Sequence, residues 1–200
     1  MSGFRAPIAA LIEKEALPVD KVGHQPRLYA LTQQIGEGLA YDDDIVYAAA
    51  WLHDLGVFVG NRPEDPVALA TWDHVAYACN RVPQILTEAG FPKEKIPAVL
   101  DCIRQHQPHD NPQSLEATIL RDADILEQLG AIGILRNVSK VGRDTRYARF
   151  TGIAPVLRKS LSNLPARLHI ARARELAQPK IRLLASFLEA IDSEAAGNLY

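Results

Sequence analysis

An all-α fold is predicted by three features of the sequence. Apolar residues recur at helical spacing over nearly the whole length, no alternating apolar–polar run extends beyond Val57 to Val59, and the periodic stretches carry helix start and stop residues. At 200 residues and 48% apolar composition the chain can bury about 70% of its unfolded surface without disulfide or metal staples. A single domain over residues 1–200 is expected, with a core over about 20–136 and a basic helical extension over about 137–195.

The first helix is predicted over about 5–16 and the second over about 25–40, with Leu28, Leu31, Ile35 and Leu39 on its buried stripe. His24 lies four residues before Leu28, so it points inward. The third, about 42–54, starts at Asp42 or Asp43 as N-cap and is almost wholly apolar until its last turn, which holds His53 and Asp54. An aspartate there is opposed by the helix macrodipole and, once buried, needs a positive partner. The segment Gly56 to Val67, with two prolines and two acids, reads as a loop placed to roof a site.

A fourth helix over about 71–90, closed by Gly90, puts His74 on the line of Ala78, Val82 and Ile85. Pro92 opens a fifth, about 93–106, in which Ile96, Val99, Ile103 and His106 share one stripe. Four of the six histidines thus fall on core-facing lines near helix ends. Ser114 before the acidic Glu116 marks the start of a sixth helix over about 113–129. Its stripe of Leu115, Ile119, Leu126 and Leu129 centres on Asp122, and Asp124 lies about 200° away, so periodicity favours Asp122 as the inward acid. Helices over about 130–140, 144–163 and 166–192 complete the chain; the small residues of Leu129 to Gly133 read as close packing or a helix end.

Taken singly, each histidine is an ordinary hydrogen-bonded core residue; together with the acids they suit a divalent ion drawn from Mn, Mg, Co, Ni, Fe or Zn, one or two in number. Cys79 and Cys102 stand alone, which argues against a structural zinc and for a reducing, cytoplasmic setting. No apolar run approaches the ~18 residues of a membrane span, so no membrane partner is expected. Charge is unevenly spread: residues 1–135 hold 10 Lys/Arg against 19 Asp/Glu, residues 136–182 hold 12 against 2, and residues 183–200 hold 3 acids. An acidic body beside a basic segment suits a cation plus a phosphate.

His24, then His53-Asp54, then Asp124 in an Ala-Asp-x-Leu context resembles the H…HD…D pattern of the HD superfamily of metal-dependent phosphohydrolases. His24-Gln-Pro-Arg27 resembles the H-x-x-R start, the segment ending in His53-Asp54-Leu-Gly the HD helix end, and Asp122 to Ile134 a stretch of a bacterial subgroup of small HD hydrolases. The resemblance implies an all-helical bundle and makes His24, His53, Asp54 and Asp124 metal ligands, choosing Asp124 where periodicity alone favours Asp122. Asp122 then stands as a supporting or alternate ligand. His74 and His106 fall where binuclear relatives add two histidines; otherwise they serve to bind phosphate or move a proton. The chain departs from many HD hydrolases in having Leu55, Gly56 and Val57 where an acid positions water, which leaves that role to Glu64 or Asp65 or to no side chain at all. The signatures of cyclic-dinucleotide and alarmone hydrolases are absent.

The implied reaction is attack of a metal-activated water on phosphorus in a nucleotide or other small phosphoester. Arg27, Lys140, Arg143 and Arg146 are the candidate phosphate-binding residues. Two alternatives stand beside it: a di-iron oxygenase of the HD type, and a non-catalytic nucleic-acid-binding module using the basic segment. The second is poorly supported, since Tyr147 and Phe150 are not interleaved regularly with basic residues. Phosphate loops and serine-nucleophile elbows are absent, and the sequence leaves a homo-oligomer open.

Overall fold

The computed structural model describes residues 3–142, 147 and 149–199. Among these the fold is all-helical, with one isolated bridge, Val59 to Arg62, as the nearest approach to a strand. The helices are α1 (Arg5–Glu15), α2 (His24–Ile35), α3 (Asp43–Leu52), α4 (Pro66–Ala70), α5 (His74–Glu88), α6 (Ile96–Arg104), α7 (Leu115–Glu127), α8 (Gly130–Val138), α9 (Ile153–Asn163) and α10 (Ala171–Ala195). They belong to two compact units, Met1–Arg121 and Asp122–Tyr200.

The first unit is organised around α3, which packs against α1, α2, α5 and α6. Ile45 to Ala50 and Leu52 are all buried except the half-buried Trp51, which is why this helix carries no polar face. Its start is fixed as the sequence implies: the Asp42 carboxylate accepts from the backbone N–H of Asp44 and Ile45, while the Glu116 carboxylate accepts from Asp42 N–H at 3.0 Å. Lys95 pairs with Asp42 at 2.8 Å, and Arg5 reaches Asp43 and Asp44 at 2.8 and 2.9 Å. Ile8, Ile12, Leu28, Ile35, Leu55, Phe58, Val82, Leu86 and Ile103 are fully buried around it. Each such side chain contributes about 1.5–3 kcal/mol relative to its exposed form.

Several predicted boundaries move. α2 stops at Ile35 because the chain turns at Gly36, where a Cβ would sit 2.3 Å from the Tyr41 ring; Leu39 is consequently 40% exposed rather than buried, and Thr32 takes the inner position. The loop after His53-Asp54 contains a short 3-10 turn at 55–57 and then α4, capped by the Asp65 carboxylate on Ala68 N–H. The helix expected over 71–90 begins at His74, with Asp73 as its N-cap, and Leu86 replaces Ile85 on the buried face. α6 ends at Arg104, leaving His106 beyond the helix. α7 starts with Ser114 Oγ accepting from Ala117 N–H.

In the second unit α8, α9 and α10 pack on one another. The Leu129 to Gly133 segment, whose small residues suit close packing or a helix end, opens α8. Gly130 has φ +70°, and a Cβ on Gly133 would lie 2.3 Å from the Gln128 carbonyl oxygen. The helix expected over 144–163 occupies only Ile153–Asn163 among the described residues.

Candidate metal centre

α3 delivers the two central residues. His53 caps its C-terminus, and Asp54 follows where the chain leaves the helix. His53 is 1% exposed, and its Nδ1 lies 3.0 Å from the Ala50 carbonyl oxygen. A carbonyl can only accept, so Nδ1 carries a hydrogen and Nε2 is the ring atom available to coordinate an ion. His106 repeats the arrangement: it is 3% exposed, and Nδ1 lies 2.7 Å from the Ile103 carbonyl oxygen. His24, at the first position of α2, brings its Nε2 to 3.4 Å from His53 Nε2. The Asp54 carboxylate lies 3.7 Å from His24 Nε2 and 3.6 Å from His53 Nε2.

Burial alone would raise the pKa of Asp54, but the potential of His53, His24, Lys21 and His106 outweighs it and holds the group well below the usual carboxylate range. This is the positive compensation that an aspartate at a helix C-terminus requires. The sequence reading missed Lys21, although its place three residues before His24 puts it at the same end of α2.

The donor set fits a divalent ion. One ligand atom from each of His53, Asp54 and His106 lies within 4.8 Å of the others, close to the ~4.4 Å limit between two ligands of one ion at bond lengths of ~2.0–2.2 Å. Imidazole Nε2 atoms whose Nδ1 hydrogens are bound to carbonyls are oriented as metal-binding histidines are. His74 is half-buried at the first position of α5, with its ring centroid 6.0 Å from that of His106.

The remaining predicted residues are placed as follows. Arg27 is half-buried on α2 and folds back over Gly23, where a Cβ would meet its Nη1 at 2.6 Å. Glu64 and Asp65 are exposed, and Asp65 is engaged as the cap of α4. In the second unit, Asp122 and Asp124 are 0% and 8% exposed, so α7 has no solvent face on which to leave either. The Asp122 Oδ2 accepts from the backbone N–H of His169 and Ile170 at 2.9 and 2.8 Å, which caps α10. Asp124 accepts from Gln128 Nε2 at 2.9 Å. Lys140 is half-buried beyond α8. Arg143 and Arg146 lie outside the described residues.

An all-helical fold with clustered imidazoles and a half-buried carboxylate at one helix end defines a class of helical proteins able to hold a divalent cation. The model of the HD domain family matches residues 22–129, and the chain belongs to that family. The Bacillus subtilis protein YpgQ is 26% identical over 189 residues, covering 87% of this chain and 83% of its own. The crystal structure of YpgQ in complex with ADP is similar in fold, with a TM-score of 0.71 at 23% identity over 96% of this chain and 98% of that one. A Lactobacillus plantarum protein gives 0.75 at 18% identity, covering 99% of each chain. An HD-superfamily hydrolase from Bacillus thuringiensis gives 0.68 at 22% identity over 96% of this chain and 95% of that one. No helix among the described residues is long and apolar enough to cross a membrane.

Proposed function

We propose that the chain is a metal-dependent phosphohydrolase acting on a nucleotide or another small phosphoester. The observation that carries this reading is the pair of buried imidazoles, His53 and His106, each with Nδ1 held on a backbone carbonyl and each bringing a ligand atom within 4.8 Å of Asp54. His24, His53, Asp54 and His106 would hold the cation, and the family pattern assigns Asp124 to the same set. A bound dication lowers the pKa of its water from ~15.7 towards ~7 and polarises a phosphoryl oxygen.

The protein's own contribution is orientation and charge. The carbonyls of Ala50 and Ile103 fix the two rings, and Asp54 stays ionised under the surrounding positive potential. His74 is the residue we assign to the leaving oxygen or to a second ion, and Arg27 to the substrate phosphate. A nucleotide substrate is favoured by the fold shared with YpgQ, whose structure holds ADP. The test is phosphate release with Mn, Mg, Co and Ni across nucleotides and monoesters. Turnover that is lost in His53→Ala supports the reading, and no release with any metal and substrate overturns it. A second reading, a di-iron oxygenase, is favoured by the succession of ring centroids His24, His53, His106 and His74 at 5.3, 4.9 and 6.0 Å. Iron content, a mixed-valent absorption signature and oxygen uptake distinguish the two.

A further inference from the structure

We infer that Asn61 and Trp72 are positioning residues for the His53-Asp54 dyad, an inference that rests on the metal-centre reading above. At a helix C-terminus the last carbonyls lack intrahelical partners, and water or a glycine cap usually satisfies them. Here two consecutive carbonyls directly after the dyad are taken by side chains from farther along the chain. Asn61 Nδ2 donates to the Leu55 carbonyl at 3.0 Å, and Trp72 Nε1 donates to the Gly56 carbonyl at 2.8 Å. The carbonyl of Asp54 itself accepts from Val57 N–H at 2.9 Å. The three peptide units that leave the dyad are therefore each held by a directional bond.

Asn61 is in turn fixed from two helices. Its Nδ2 also donates to Glu15 at 3.1 Å, and its Oδ1 accepts from Arg81 Nη1 at 3.3 Å. Arg81 closes the arrangement by a two-pronged pair with Glu15 at 2.8 and 3.0 Å. All these groups are partly buried and mutually satisfied, the condition under which a polar network makes a structure rigid. Trp72 ties the same turn to the start of α5. A Cβ on Gly56 would lie 2.5 Å from the His74 carbonyl oxygen, so the turn after the dyad rests directly on the backbone of His74. Together the two donors set where Asp54 sits relative to His53, and how near the His74 backbone lies to both.

None of these side chains is a ligand atom. Their substitution should act on metal binding only through geometry, and supporting groups of this kind typically change metal affinity 10–100-fold. The experiment is calorimetric titration of the full chain with Mn2+, and visible absorption with Co2+, for the parent, Asn61→Leu and Trp72→Phe. Trp72→Phe keeps an aromatic six-membered ring and removes the N–H with the five-membered ring, so it carries the test if Asn61→Leu does not fold. The expected result is Mn2+ affinity weakened about tenfold or more in each folded variant, with an altered Co2+ band. Affinity within twofold of the parent and an unchanged band overturn the inference, whatever the melting temperature does. An effect in one variant alone overturns it for the other residue. A parent chain that binds neither ion overturns the metal-centre reading and takes this inference with it.

Discussion

Replacing Asp122 separates a capping carboxylate from a metal ligand. Its Oδ2 accepts two backbone N–H groups at 2.9 and 2.8 Å, from His169 and Ile170, just where α10 begins, and the residue is 0% exposed. Hydrogen bonds to a charged group contribute about 1.5–3 kcal/mol each, and two that share one oxygen do not add fully. Asp122→Ala should therefore cost about 3–4 kcal/mol, including the penalty of leaving two N–H groups without their acceptor. For a chain of this size 1 kcal/mol corresponds to about 2–4 °C, so the melting temperature should fall by about 10 °C. Asp122→Asn keeps an acceptor oxygen and should lose about half as much.

The assay is thermal denaturation followed by far-UV dichroism, combined with amide hydrogen exchange at His169 and Ile170 and with Mn2+ titration. Faster exchange at those two amides with unchanged Mn2+ affinity is expected. A variant that melts with the parent, or a folded variant that has lost Mn2+ binding, would refute the capping role.

Mn2+ at 100 times its dissociation constant should stabilise the parent by about 2.7 kcal/mol, and His53→Ala should remove most of that shift. Arg81, followed by Asn61, holds the Glu15 carboxyl below its ordinary pKa, with burial opposing them. The pair therefore contributes stability that is present above the unfolded pKa of about 4.5 and is lost as pH falls through the lower native value. Glu15→Gln should cost about 1 kcal/mol at pH 7, and its melting curve should converge with the parent's as pH falls through the lower native value. Gly133→Ala places a Cβ 2.3 Å from the Gln128 carbonyl oxygen, a backbone atom that cannot swing aside, and urea denaturation should show a loss of about 3 kcal/mol or more.

What could be read from sequence divides along physical lines. The helical class and the inward placement of His24 and His106 follow from periodicity, because those two lie on stripes that have a solvent side, whereas His53 follows from the unbroken apolar run of α3 and the Asp42 cap from its residue type. The choice between Asp122 and Asp124 does not, since α7 from Ile119 to Glu127 is buried all round and one-sided periodicity loses its meaning there. Leu39 was misplaced because the close approach of Gly36 to Tyr41 ends α2 early, a contact with no local signal. Asn61 and Trp72 were invisible for a related reason: their value lies in which distant carbonyls they reach.

The long apolar run of α3 has a mechanical consequence. From Asp42 to His53 the helix spans about 16 Å, and its middle is Ala48, Ala49 and Ala50, side chains with no rotamers to rearrange. Such a strut cannot absorb a shift along its own axis. A push at the charged end, where Arg5, Lys95 and Glu116 grip it, should arrive at the imidazole end nearly undamped, so surface residues far from the chemistry can retune it.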